Sequence, residues 1–567
     1  MPKNEEKKDK PVIDKSVTKT TGAKKTTTEK SVNVEEAVNR IKKATASATK
    51  ATTAPASKTT AKANVAKATP APKKAPAKKS VITPPLTKIK DPNAPLKILF
   101  VAPECAPFAT SGGLGEVIGS LPQALNANGS DARVILPLYE CFPEKLRDKL
   151  RFITHINVGV SWRQQYCGVH MLELEGVKYY FIDNEYYFKR KNLYGYDDEA
   201  ERFAFFSRAV LDVLPYIEFT PDVIHAHDWQ TALVPIYYKL YYMNRSEYED
   251  IKTLFTIHNI EYQGKFDYSI IEDVLGIPKA EYLSIEWKGG INLMKGAMDY
   301  SDYISTVSPT YAEELQYEFF AHGLEDVVKR NSYKMRGILN GINLISWNPA
   351  SDKALFSMYS NKDFGGKAIN KAELQKMLSL PVRPNTPIIA LITRLVKHKG
   401  VDLVKGVLEE LLKKDVQIVV LGTGDKEFEN FFEFITDVYR DKFHAIIDFN
   451  NDLAHKIFAG TDMFLMPSKS EPCGLGQMIA TRYGTIPIIR ATGGLKDSIP
   501  DCANGDMGLG FVFENYDPWH MLHALERAIG LYKDYPEKWA GLVNRALSAD
   551  FSWEKSAIEY IEMYKNI

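Results

Sequence analysis

The run Lys97-Ile98-Leu99-Phe100-Val101 leads through a short loop into Thr110-Ser111-Gly112-Gly113-Leu114-Gly115-Glu116. The first run predicts a buried strand, and Leu114, Val117, Ile118, Leu121 and Leu125 recur at the spacing of one helix face. Gly112 and Gly113 therefore fall between a strand end and a helix start. Glycines there let the backbone approach a ligand, and free amides together with the helix dipole favour phosphate or carboxylate. The arrangement returns at Thr492-Gly493-Gly494-Leu495-Lys496-Asp497. One such pair is explained as well by a tight turn, whereas two in the same context point to a phosphorylated ligand.

Outward from the first turn, strand-like runs alternate with helical patterns at Arg133 to Leu138, Val223 to Ala226, Thr253 to His258 and Tyr303 to Val307. The alternation resumes at Ile388 to Thr393, Val416 to Gly422, Ala445 to Phe449, Met463 to Pro467 and Thr485 to Ile489. This pattern predicts an α/β protein with parallel sheets covered by helices on both faces. Two doubly wound, Rossmann-like domains, 96–347 and 387–545, are expected to face each other across an interdomain cleft. The polar, proline-broken stretch 348–386 reads as the hinge region. Each domain offers the carboxyl ends of its strands as a ligand crevice.

Residues 1–95 are different in kind. They form a Lys, Ala, Thr and Pro mixture with 22 basic and 8 acidic residues, which reads as a disordered tail. Of 72 basic and 71 acidic residues in the chain, 50 and 63 remain for the body, a balance of −13. The tail reads as a solvated spacer ahead of a contact for an acidic partner. Glu5, Glu6, Asp9 and Asp14 argue against plastid import, since transit peptides are poor in acids. With no apolar run of membrane-spanning length, a cytoplasmic protein is expected. The five cysteines form no metal-ligand spacing and suit a reducing compartment.

The chemistry-bearing residues fall at strand ends. His225-Ala226-His227-Asp228-Trp229 and Thr256-Ile257-His258-Asn259 place polar groups at the first crevice. A metal reading of His225, His227 and Asp228 lacks a second cluster to complete the shell, and packed histidines remain the commoner alternative. In the second half, Arg394 and Lys399 follow a buried strand and suit a diphosphate. Glu471-Pro472-Cys473-Gly474-Leu475 adds a carboxylate before a glycine turn.

Taken in order, these motifs closely resemble those of the bacterial glycogen synthases and plant starch synthases of glycosyltransferase family 5. The resemblance covers about residues 96–567 and extends to Glu199-Ala-Glu-Arg-Phe-Ala-Phe-Phe206, Leu339-Asn-Gly-Ile342 and Phe551-Ser-Trp553. It implies the GT-B fold, with the segment 546–567 supplying a last helix that crosses back to the first domain. It implies glucose transfer from ADP-glucose to the nonreducing end of an α-1,4-glucan with retained configuration, no metal and no cofactor. By that resemblance Arg394 and Lys399 hold the departing diphosphate, His227 orients the glucose and Glu471 lies near its hydroxyls. Ser111, Gly112, Gly113, Glu116, Asn259, Cys473, Gly474, Leu475, Thr492, Gly493 and Gly494 line the substrate site on the same ground.

Three positions depart from the family pattern. Thr110 stands where the family has lysine, Glu116 where it has aspartate and His398 where glutamine is common. The alternatives are another retaining GT-B transferase using a UDP-sugar, and a noncatalytic glucan-binding scaffold.

Overall fold

The computed structural model describes residues 94–504 and 507–567. The expected tail lies outside them, apart from Ala94 and Pro95. The first sheet contains β1 (Lys97–Val101), β2 (Asp131–Pro137), β3 (Arg151–Val160), β4 (Arg163–Leu174), β5 (Val177–Asp183), β6 (Val223–His227), β7 (Lys252–Ile257), β8 (Tyr303–Thr306) and β9 (Met335–Gly337). Their spatial order is β9-β8-β7-β6-β1-β2-β5-β4-β3. The second sheet contains β10 (Ile388–Ile392), β11 (Gln417–Leu421), β12 (Phe443–Ile446), β13 (Met463–Met466), β14 (Ile486–Arg490) and β15 (Phe511–Phe513), in the order β12-β11-β10-β13-β14-β15.

Both orders reverse direction at a central strand, which opens a crevice there. In the first sheet β1 pairs in parallel with β2 on one side and β6 on the other. In the second, β10 pairs in parallel with β11 and β13. These strands are largely buried because helices cover both faces. Ile98, Leu99, Phe100 and Val101 are all fully buried.

The helices that matter here are α1 (Gly113–Ala127), α2 (Glu199–Val213), α3 (Pro309–Glu314), α4 (Gly365–Met377), α5 (Asn451–Gly460), α6 (Gly493–Ser498) and α7 (Trp553–Lys565). Helix α7 crosses back to the first half as expected. Its Trp553, Tyr560 and Tyr564 are buried in the cluster that contains Val117, Ile118 and Leu121 of α1. The outgoing and returning chains touch: the Ile342 amide donates to the Phe551 carbonyl at 2.8 Å. A Cβ on Gly341 would meet the Trp553 nitrogen at 2.7 Å, so only glycine lets them pass this closely.

The stretch 348–386, read as the hinge region, is bound to the second half. Helix α4 packs on α5, Lys371 pairs with Asp462 at 2.8 Å, and Asp352 accepts from His455 at 2.7 Å and Tyr483 at 2.5 Å. The chain passes between the halves at 341–342 and 551–553. One expectation needs correction: the first sheet is not wholly parallel, because β3, β4 and β5 form an antiparallel meander at one edge. Among the described residues no helix is long and apolar enough to cross a membrane.

Candidate active site

At the first crevice, Gly112 is extended (φ −171°) and caps α1 without a side-chain bond. A Cβ on Gly112 or Gly113 would meet nothing within 4 Å, so the space before these backbones is open. Ser111 is exposed beside them, and its amide and hydroxyl donate to buried Glu104 at 2.5 and 2.7 Å. The Tyr194 hydroxyl donates to the same carboxylate at 2.6 Å. Glu116 is exposed in the first turn of α1.

The end of β6 delivers two buried histidines to the same edge. His225 Nδ1 lies 2.8 Å from the Tyr564 hydroxyl of α7, and its Nε2 lies 2.5 Å from Thr256 Oγ1. Both ring nitrogens are therefore committed to packing. His227 stacks on Phe100, with ring centroids 5.4 Å apart, and its Nδ1 lies 3.0 Å from His258 Nε2. Its Nε2 is buried with no partner. Burial, then the neighbouring His225 and His258, holds the His227 imidazole well below its ordinary pKa, so it is neutral at pH 7. Burial likewise lowers His258 to about 3.

Asp228 follows at φ +56°, ψ 179°, a strained conformation for a residue with a side chain. Its carboxylate accepts the His258 amide at 2.7 Å and the Asn259 amide at 3.4 Å. Burial nevertheless raises it to about 7. Asn259 Oδ1 accepts the Glu261 amide at 3.0 Å, and the residue is half-buried beside His258.

At the second crevice Lys399 and Glu471 come from the loops after β10 and β13, the neighbouring strands of the reversal. Lys399 Nζ donates to Glu471 Oε2 at 2.6 Å, and Ser468 Oγ donates to the same oxygen at 2.9 Å. Arg394 is exposed and has no ion-pair partner among the described residues. Cys473 is buried beside Asn340, and burial pushes its thiol up to about 12. Gly474 turns the chain at φ +72° ahead of Leu475.

The second glycine turn serves a different purpose from the first. A Cβ on Gly493 would lie 2.0 Å from the Glu471 carbonyl oxygen, and one on Gly494 would lie 2.4 Å from that of Cys473. These glycines let the 471–473 backbone rest directly on α6. The Gly493 amide donates to both oxygens of Glu314 at 3.1 Å. The Gly494 amide donates to the carbonyls of Glu471 and Pro472, each at 3.2 Å. The expectation that these two amides face phosphate is corrected, because the protein itself takes them. Thr492 is buried, and its hydroxyl also donates to Glu314 at 2.8 Å.

Residues 97–330 match the starch synthase catalytic domain family and residues 375–540 match the glycosyl transferases group 1 family. A glycogen synthase of Bacillus cereus is 47% identical over 476 residues, covering 83% of this chain and all of that protein. The chain belongs to the glycogen and starch synthase family, glycosyltransferase family 5. A glycogen synthase of Clostridium botulinum is 47% identical over 477 residues, 83% of this chain and 99% of its own length. The catalytic domain of starch synthase IV from Arabidopsis thaliana, solved bound to ADP and acarbose, superposes with a TM-score of 0.78 at 36% identity, covering 83% of this chain and 99% of that one. This synthase is therefore a GT-B glucosyltransferase that elongates glucan.

The synthase also uses residues that the motif reading passed over. Glu104 and Glu314 are carboxylates seated on glycine-turn amides, Tyr564 reaches His225 from the far end of the chain, and Asn340 holds a buried Oδ1 with no partner. Asn340 was visible within Leu339-Asn-Gly-Ile342. Glu314 and Tyr564 carried no local signal, since each acts on a residue distant in sequence, and Glu104 lies seven residues before Ser111, outside the glycine motif.

Proposed function

We propose that this synthase transfers glucose from ADP-glucose to the nonreducing end of an α-1,4-glucan with retention, and that its own cations replace a metal. The supporting observation is the placement of Lys399 and Glu471 at one strand-order reversal and of unpartnered His227 Nε2 at the other. The ADP bound in the Arabidopsis relative fits a site that offers a free arginine and a lysine.

In this reading Arg394 and Lys399 take the diphosphate, and Gly112 and Gly113 present open backbone to it. The cations stabilise the charge that develops on the leaving group. His227 is neutral and buried, so it donates or accepts a hydrogen bond to the sugar rather than removing a proton at pH 7. Cys473, Gly474 and Leu475 line the sugar pocket beneath Glu471. The bond from the anomeric carbon to the diphosphate breaks, the bond to the acceptor hydroxyl oxygen forms on the same face, and the acceptor proton passes to a diphosphate oxygen. The products are ADP and a glucan longer by one residue. A cytoplasmic setting, where nucleotide sugars are made, belongs to the same reading.

Incorporation of labelled glucose into glycogen tests this, with ADP-glucose and UDP-glucose compared in the presence of chelator. Chelator-resistant incorporation from ADP-glucose is expected. Incorporation from UDP-glucose alone, or loss of activity on chelation, would overturn the donor or the metal-free assignment respectively.

A further inference from the structure

Helices α3 and α6 belong to different halves of the molecule, and each carries an acid at the end its own dipole disfavours. Helix α3 closes with Glu313 and Glu314 and no base, and α6 has Asp497 in its last turn beside Lys496. Acids at a helix C-terminus are unfavourable, because the carbonyl end is already negative. The compensation comes from the other half. Glu314 accepts the Gly493 amide with both oxygens at 3.1 Å and the Thr492 hydroxyl at 2.8 Å, at the start of α6. Asp497 accepts the Thr310 amide at 2.8 Å and the Thr310 hydroxyl at 2.6 Å, at the start of α3. The two short helices thus run antiparallel, each carboxylate capping its neighbour's first turn.

This clasp touches the loop that bears Glu471. The Ser308 hydroxyl, which also caps α3, donates to the Pro472 carbonyl at 2.7 Å. Gly494, next to the clasped Gly493, donates to the Glu471 and Pro472 carbonyls. A line of contacts therefore runs from Glu314 through α6 to the backbone of Glu471, with no side chain between.

We infer that Glu314 and Asp497 are positioning residues for glucosyl transfer, which set the register of the Glu471 loop against the half that carries His227. The inference rests on the proposed roles of Glu471 and His227. Neither carboxylate stabilises its own helix, so their arrangement has its physical reason only across the two halves. Misplacing a reacting group by about 1 Å can cost on the order of 100-fold in rate.

The test uses the full chain and four variants: Glu314→Ala, Glu314→Gln, Asp497→Ala and the double alanine. For the alanine variants kcat is expected to fall about 10- to 100-fold, with ADP affinity by calorimetry within about threefold of native, since Arg394 and Lys399 are untouched. Glu314→Gln keeps an acceptor for the Gly493 amide and is expected to regain most of the loss. The double variant is expected to be little worse than the poorer single, because both groups close one clasp. If both alanine variants keep kcat within about twofold of native, the inference is overturned. It is equally overturned if Glu314→Gln is no better than Glu314→Ala and kcat, ADP binding and Tm all fall together, the mark of a general loss of structure. Glu471→Ala in the same assay separates the two readings: full activity there would defeat the site assignment, not the clasp.

Discussion

Lys399 Nζ and Glu471 Oε2 lie 2.6 Å apart, on loops that follow adjacent strands of the second sheet. The pair is mostly shielded, with side-chain exposures of 18% and 9%. Glu471 therefore neutralises the cation that is proposed to meet the diphosphate. Glu471→Gln releases that charge, and ADP is expected to bind about 3- to 10-fold more tightly while kcat falls. Lys399→Met is expected to weaken ADP and to lower kcat/KM by about 100- to 1,000-fold. Calorimetric titration of ADP with each variant checks the opposite signs; weaker ADP binding by Glu471→Gln would show that the two groups act together on the nucleotide.

His227 is buried between Phe100 and His258, and its imidazole is held well below the usual range chiefly by burial. It therefore gains no proton between pH 6 and 8. The pH profiles of kcat/KM for native protein and for His227→Gln are expected to have the same shape over that range, with His227→Gln less active and His227→Ala lower still. An inflection near pH 6.5 present in the native profile and absent from the variant would mean that His227 titrates during turnover.

Much of this architecture was legible in the chain because buried strands of doubly wound sheets are continuously apolar. Ile388–Ile392 and Val223–His227 were found within a residue or two for that reason. The edge meander Arg151–Asp183 was not, because β3 and β4 are half exposed and carry Phe152, His155 and Tyr166 on the open face. The stretch 348–386 looked like a hinge because prolines and polar residues dominate it. Its anchors are single groups such as Asp352 and Lys371, whose partners His455 and Asp462 lie about 100 residues on. The glycine turns show the same limit. Gly112-Gly113 and Gly493-Gly494 read alike, and only the fold reveals that the first faces open space while the second lies under the Glu471 loop.

Asp228 has a stability signature of its own. Burial raises its carboxyl to about 7, against an unfolded value of about 3.9. The folded state thus holds the proton more tightly, so the group's contribution is complete below about pH 4 and is lost as pH rises through 7. Asp228→Asn stays neutral and keeps an oxygen for the His258 amide. Its stability relative to native is expected to be near zero at pH 4 and to rise to about 2–4 kcal/mol by pH 8. Denaturant unfolding at both pH values checks this; a difference that does not grow with pH would place Asp228 ionised throughout.

Thr110, read as standing where the family has lysine, is exposed at the mouth of the first glycine turn. Its methyl lies where a Cβ on Gly115 would be 2.8 Å away, so the side chain rests on α1 just beside the open faces of Gly112 and Gly113. A lysine there could run its stem over the same surface and bring its ammonium to that open space. Thr110→Lys is therefore expected to lower the KM for ADP-glucose about 3- to 10-fold, the value of one added charge-assisted hydrogen bond in a partly shielded site. The gain should shrink as salt is raised, because an exposed ammonium is screened over about 10 Å at 0.1 M ionic strength. Initial rates at low and high salt check both parts. A KM for ADP-glucose that does not change, together with a lower KM for glycogen, would assign the position to the acceptor instead.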